Sequence, residues 1–453
     1  MEGHSQQSTR TDTICAIATP PGVGGVGVIR ISGPLCTSIA TQILGALPQP
    51  RRAEFSSFKD GQGVTIDSGI ALLFIAPASF TGEDVLELQA HGGPQILQML
   101  MTRVMSLGAR PARPGEFSER AFLNNKLDLV QAEAIADLIE SGTEASARAA
   151  QRSMEGVFSG QVNQIQKDLI DLRVFVEAAM EFPDEEIDFL ADSDVLEKLR
   201  ASEQQLQILS DQAHQGQLLR DGINIAIAGL PNAGKSSLLN ALAGRDSAIV
   251  TDIPGTTRDV LREYISLDGL PVHVSDTAGI RESTDQVEAE GVRRARATFS
   301  AADLVLLVID STQDVEPQLA LRSEVPHSIP CIEVHNKQDL ITPEDKLDDG
   351  SGKVRISAKT GQGIDQLIHR VKSVVGATEN YEGVFSARTR HLDALKRTRH
   401  HVGVGRQQLQ QFNAPEILAE ELRLAQEALG EITGEYLPDD LLGAIFSSFC
   451  IGK

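Results

Sequence analysis

The chain is poor in positive charge. Its 453 residues carry 41 lysines and arginines against 63 aspartates and glutamates, a net charge of −22. That balance argues against a broad phosphate-gripping surface, so a nucleic acid is expected to be met locally or through a partner. Cysteine is also scarce. Cys15, Cys36, Cys331 and Cys450 are scattered without metal-ligand spacing, which suits a reducing cytoplasm. No apolar run approaches the ~20 residues that a membrane span needs. The N-terminus has neither a basic-then-apolar signal nor the Arg-rich pattern of a transit peptide. A cytoplasmic protein with no membrane attachment is expected.

What is present is sharper. Gly229-Leu230-Pro231-Asn232-Ala233-Gly234-Lys235-Ser236-Ser237 matches the phosphate-binding pattern G-x-x-x-x-G-K-[ST]. It follows the strand-like run Ile223 to Ala228 and precedes a helix-like run from Ser236 to Leu242. Glycines at these positions let successive N–H groups turn inward around a phosphate at a helix N-terminus. Lys235 is expected to reach the terminal phosphates, and the Ser236 hydroxyl to ligate magnesium. By itself the motif could be a Gly-rich turn.

Three later segments answer it in order. Asp276-Thr277-Ala278-Gly279 follows the strand-like Val272 to Ser275; a carboxylate there can hold magnesium through water, and Gly279 admits a phosphate. Asn336-Lys337-Gln338-Asp339 follows Cys331 to His335. Asp339 can accept two hydrogen bonds from the guanine edge, a pairing that adenine cannot offer. Ser357-Ala358-Lys359 follows Val354 to Ile356 and would support the base. Each segment ends a strand-like run, where ligands bind in parallel sheets. Four such segments in order predict a GTP-binding domain with magnesium.

Between loop and carboxylate lies a turn, Thr251-Asp252-Ile253-Pro254-Gly255-Thr256-Thr257-Arg258-Asp259. It is either a polar surface turn or a switch, and the flanking motifs favour the switch. Thr257 is best placed to complete the magnesium shell, with Thr251, Ile253, Gly255 and Thr256 around the nucleotide. Ile280 stands where many GTPases place a water-orienting Gln. No arginine finger is evident beyond Arg258 and Arg262. Something else must supply positive charge and position the water.

At this point the chain resembles the MnmE (TrmE) family of tRNA modification GTPases, almost end to end. The resemblance is carried by Asp12-Thr13-Ile14, Ala18-Thr19-Pro20-Pro21-Gly22, Gly24-Gly25-Val26-Gly27 and Arg30-Ile31-Ser32-Gly33. It continues through Phe80-Thr81-Gly82-Glu83-Asp84, His91-Gly92-Gly93-Pro94, Gly115-Glu116-Phe117-Ser118 and Asn125-Lys126-Leu127-Asp128-Leu129. It closes with Phe449-Cys450-Ile451-Gly452-Lys453. Val23 departs from the pattern, which has a basic residue there.

The resemblance implies potassium-dependent hydrolysis. Asn232, Thr251, Ile253 and Thr256 would hold the ion where two GTPase domains meet, and Glu288 would orient the water. Read without the family, Glu288 is a solvated charge in an acidic stretch. The resemblance also implies a homodimer whose N-terminal domain holds a tetrahydrofolate derivative through Arg30, Glu87 and Lys126, with Lys453 close by. Glu87 could equally face solvent on an alternating strand. Cys450 is either a catalytic nucleophile or a small apolar residue beside Phe446 and Phe449. An FAD-containing partner of the MnmG type, forming a heterotetramer with this chain, would supply the redox chemistry. The lack of a second dinucleotide fingerprint agrees with the flavin residing elsewhere. The implied function is to help add a carboxymethylaminomethyl or aminomethyl group at C5 of the wobble uridine of tRNA, using a folate-borne carbon. Rivals are a regulatory switch GTPase in ribosome assembly, which would want a basic module beside the GTPase domain, and a plain folate-dependent one-carbon transferase.

The expected architecture has three parts. Residues 1–122 read as an α+β dimerisation and folate-binding domain, with short β-like runs between Gly and Pro. Residues 123–220 and 382–453 read as one discontinuous helical domain. Residues 121–220 hold 8 basic and 19 acidic groups, half of the net charge. Residues 221–381 read as an α/β P-loop GTPase domain inserted into it.

Overall fold

The computed structural model describes residues 12–181, 194–244, 262–276, 299–341, 353–449 and 451–452. The chain forms two compact units, one from residues 1–136 and 427–453 and one from residues 137–426.

The first unit is built on a six-stranded sheet. Its strands are β1 (Ile14–Ile17), β2 (Gly24–Ser32), β3 (Glu54–Lys59), β4 (Thr65–Phe74), β5 (Val85–Gly92) and β6 (Arg110–Pro111). They run in the order β3-β4-β5-β2-β1-β6, antiparallel except for the β1–β6 pair. Side chains alternate between the faces of a strand. Ile29 and Ile31 of β2 therefore join Leu86, Leu88 and Ala90 of β5 on one face. They pack on Ile39, Ala40 and Ile43 of helix Cys36–Leu44 and on Leu97, Leu100 and Val104 of helix Pro94–Ser106. The residues between them, Arg30 and Glu87, fall on the opposite face. There Ile14, Ala16 and Ala112 pack with Phe117 of helix Glu116–Leu123.

That helix is pinned by charge. Glu116 is fully buried, and Arg110, the Arg113 N–H and Arg120 all donate to it. Arg120 also reaches Asp12 and Glu83, and Glu83 accepts from Ser32. Burial pushes the Glu116 carboxyl up, but the arginines and the N–H outweigh it and hold it at about 2. Helix Leu129–Glu140 contributes Leu129, Ala132 and Ala136 to a further apolar cluster with Phe446 and Phe449.

In the second unit the sheet order is β12-β11-β10-β7-β9-β8. These are β7 (Ile223–Ala228), β8 (Arg262–Leu267), β9 (Leu270–Asp276), β10 (Leu304–Asp310), β11 (Cys331–Asn336) and β12 (Val354–Arg355). All neighbours are parallel except β8, an antiparallel edge. Parallel strands covered on both faces read as continuous apolar runs, and every residue of β10 is buried. Helices Lys235–Ala243 and Ile364–Val375 cover one face, while Phe299 and Val325 pack on the other. The other long helices among the described residues are Glu144–Met154, Val157–Glu181, Asp194–Asp221, Thr389–Phe412 and Pro415–Thr433. The capping box of Thr143 and Ser146 starts the first of these. The three kinds of structure expected from the sequence are present: an α+β N-terminal part, a helical part, and an α/β part with a mostly parallel sheet placed within the helical chain. Among the described residues, no helix is long and apolar enough to cross a membrane.

Candidate functional site

The phosphate loop joins β7 to the helix Lys235–Ala243. Two residues give it its shape. Asn232 adopts a left-handed backbone with φ 63°, a conformation that asparagine enters more readily than other non-glycine residues. Gly234 has φ 95° at the N-cap, and a Cβ there would strike the Asn336 side-chain nitrogen. The helix starts without a side-chain cap and without an acidic residue in its first turn. Its N-terminal N–H groups and dipole therefore suit an anion. Lys235 Nζ donates to the carbonyls of Gly229 at 3.0 Å and Leu230 at 3.1 Å, which keeps the ammonium over the loop. Ser236 and Ser237 are exposed on the first turn, while Ala233 is buried beneath the loop.

Asn336 joins this loop to the others. It is 2% exposed at the end of β11. Its Nδ2 donates to the Ala233 carbonyl at 3.0 Å, and its Oδ1 accepts from the Ala358 N–H at 3.0 Å. Asp339 is exposed, and its Oδ1 accepts from the Ser357 hydroxyl at 2.7 Å. That bond holds the Asp339 carboxyl below the usual range. Ser357 is fully buried and Lys359 exposed. Asp339 is thus an ionised, oriented acceptor standing in solvent, the chemistry needed to pair with neighbouring N–H donors of a planar base.

Lys337 reverses the chain after β11 with φ 65°, and its Nζ lies 2.6 Å from Asp310 Oδ2. Reading the sequence singled out Lys337 but missed Asp310, a lone acid ending an otherwise apolar strand. It also missed Gln318, which is 2% exposed and bonds to both the N–H and the carbonyl of Asp310.

Asp276 ends β9 opposite Ile227 of β7, so its backbone lies beside the start of the phosphate loop. Thr251, Ile253, Gly255, Thr256, Thr257, Arg258, Thr277, Ala278, Gly279, Ile280, Glu288, Cys450 and Lys453 lie outside the described residues.

A second cluster lies in the first unit. Arg30 and Glu87 are direct partners across β2 and β5. Arg30 Nε donates to Glu87 Oε1 at 2.9 Å, and Nη1 donates to the Gly452 carbonyl at 3.2 Å. The guanidinium carbon lies 5.8 Å from the Phe80 ring centroid and 5.9 Å from that of Phe117. Both distances suit cation–π attraction. Lys126 donates to the Pro77 carbonyl at 3.1 Å, in the same loop that carries Phe80. The two rings went unremarked as site residues, although both sit in the quoted family motifs.

Residues 13–126 match the family model described as the GTP-binding protein TrmE N-terminus. Residues 129–450 match the one described as the MnmE helical domain. The chain is 55% identical over 455 residues to the tRNA modification GTPase MnmE of Aeromonas hydrophila, covering 98% of this chain and 100% of that one. It is 54% identical over 453 residues to the protein of the same name from Pectobacterium carotovorum, again covering 98% and 100%.

The chain belongs to the MnmE family of tRNA modification GTPases.

As a member of that family it is a GTP hydrolase. Among solved structures, the G domain of the T. maritima FeoB iron transporter is 28% identical, covering 34% of this chain and 98% of that one at a TM-score of 0.27. A likeness that loose adds nothing to the fold as described.

Proposed function

We propose that this chain is a potassium-dependent, homodimeric GTPase that helps install an aminomethyl-type group at C5 of the tRNA wobble uridine. The proposed division is 1–122, 123–220 with 382–453, and 221–381. The observation that carries the reading is Asn336, which links the phosphate loop to the Ser357–Lys359 loop and so gathers phosphate and base contacts into one site. Lys235 and the first-turn N–H groups take the phosphates, and Asp339 selects guanine. The uncapped, acid-free helix start fits a phosphate with its magnesium, which Ser236 and Thr257 would hold. Magnesium supplies charge neutralisation on the terminal phosphates.

Asn232, exposed at its left-handed position, is the described member of the potassium set, with Thr251, Ile253 and Thr256 completing it. Potassium between two GTPase domains supplies the positive charge that no arginine evidently provides, and Glu288 positions the water. In the N-terminal domain, Arg30 and Glu87 offer a donor and an acceptor beside the two aromatic rings. That set fits a tetrahydrofolate derivative, with Lys126 and Lys453 as further contacts. A flavin-containing partner of the MnmG type completes the chemistry in the cytoplasm, with Cys450 as a candidate nucleophile. The identity to tRNA modification GTPases over nearly the whole chain favours this reading over a ribosome-assembly switch. The test measures folate retained by the purified protein together with GTP turnover in potassium and in sodium. Retained folate and faster turnover in potassium are expected. Equal rates in the two salts would remove the potassium proposal, and absence of folate would remove the carbon-donor proposal.

A further inference from the structure

Asp310 is a buried carboxylate at the end of a strand whose other six residues are apolar. Such a group is costly unless it is paired and fully hydrogen-bonded. Here it is clamped on every side. Oδ1 accepts from the Thr312 N–H at 3.0 Å and from the Thr312 hydroxyl at 2.7 Å. Oδ2 takes the Lys337 ammonium at 2.6 Å. Its own N–H and carbonyl are held by the Gln318 amide at 2.7 and 2.9 Å. Gln318 donates also to the Asp314 carbonyl at 2.9 Å, so the loop after β10 is folded around this acid.

The register explains why Lys337 is the residue that is caught. Asp310 is the parallel partner of Asn336. The next residue turns back in a left-handed conformation that L side chains seldom adopt, which carries its ammonium across to the neighbouring strand end. Lys337 therefore has its backbone strained and its head group tethered. Asn336 and Asp339 flank this tethered residue in the same turn.

We propose that Asp310 is a positioning residue for guanine-nucleotide binding. By fixing the Lys337 ammonium it holds the lysine stem flat as one wall of the base pocket. It also holds the Asn336–Asp339 turn in its strained form before the nucleotide arrives, so less ordering remains to be done on binding. This rests on the reading of Asp339 as the guanine acceptor. Its loss should appear in nucleotide affinity and KM rather than in the chemical step, because no reacting atom is involved.

The test compares D310N with the parent chain and with D339N. For D310N the dissociation constant of a fluorescent GDP should rise on the order of tenfold to a hundredfold, the size of a lost charge-assisted hydrogen bond. KM for GTP should rise in step while kcat stays near the parent's, and some loss of melting temperature accompanies it because donors converging on position 310 lose an acceptor. D310E, which keeps the charge, should recover part of the affinity. D339N should weaken guanosine nucleotides and favour xanthosine nucleotides, whose extra carbonyl can accept from an amide. If D339N shows that exchange while D310N binds GDP like the parent, the positioning role is overturned and the base site stands. If D339N shows no exchange, the base-site reading fails. A fall in D310N confined to kcat, or a D310E variant no better than D310N, would also overturn the proposal.

Discussion

Two side chains show how much a single residue decides. Asn336 satisfies one buried carbonyl and one N–H belonging to two different loops. Asn336→Ala leaves both unpaired, at roughly 1–3 kcal/mol each. Weaker GDP binding by at least tenfold is expected in a fluorescence titration. Glu116 makes a prediction about pH. Its folded pKa of about 2 lies below the ordinary glutamate value of 4.5. The stabilisation is therefore present in full above about pH 4.5 and disappears as the pH falls towards 2. At neutral pH it is on the order of 3 kcal/mol. Glu116→Gln should lower the urea midpoint of the N-terminal unit at pH 7, with the gap to the parent closing as acid is added. A gap independent of pH would point to packing instead of charge. Of these two residues only Asn336 was legible as functional in the sequence. Glu116 was visible as part of a motif, and Arg120 stands one helical turn on, but its partner Arg110 is set by where the helix docks.

At the scale of elements, propensity and packing pull in opposite directions on Gly216. It lies within the long helix Asp194–Asp221, where alanine normally gains about 1 kcal/mol over glycine. Yet a Cβ there would strike the carbonyl of Phe385, a fully buried residue whose ring stacks on Phe158 at 4.4 Å. Forcing the segment away should cost more than the helix gains, typically 1–3 kcal/mol. A lower melting temperature for Gly216→Ala is expected, and a raised one would show that the Phe385 segment gives way freely. The sheet elements were more legible than this contact. The near-continuous apolar runs ending in Ala228 and Asp310 mark central strands buried on both faces, while those ending in Ser275, His335 and Ile356 alternate, as strands less covered on one face do. The strand order was not legible, since β8 lies between the phosphate loop and β9 in sequence but at the sheet edge in space.

The whole molecule carries a net charge of −22, with a GTPase sheet and an N-terminal α+β unit on one chain. If potassium completes the site only where two GTPase domains meet, turnover per molecule should rise with protein concentration in potassium and level off as pairs saturate. Rates measured across a dilution series check this, and a flat series in potassium would show that one copy suffices. The division into two compact units also belongs to this scale. Residues 427–453 cluster with residues 1–136, and Arg30 meets the Gly452 carbonyl 422 residues away. Helical periodicity shows that residues near the C-terminus form helices, but it carries no information about which distant sheet they lean on.

The sequence by itself determined the family, the GTPase motifs and the broad kind of structure in the described parts of the chain. These are local properties: consecutive N–H groups around a phosphate, glycine where the backbone turns left-handed, apolar side chains at a fixed period. Tertiary structure alone decided that Asp310 holds Lys337, that Glu87 faces Arg30 and not open solvent, and that Phe80 and Phe117 flank that arginine. Those pairings depend on strand order, register and face. They are set by the burial of whole sheets and not by the residues that meet.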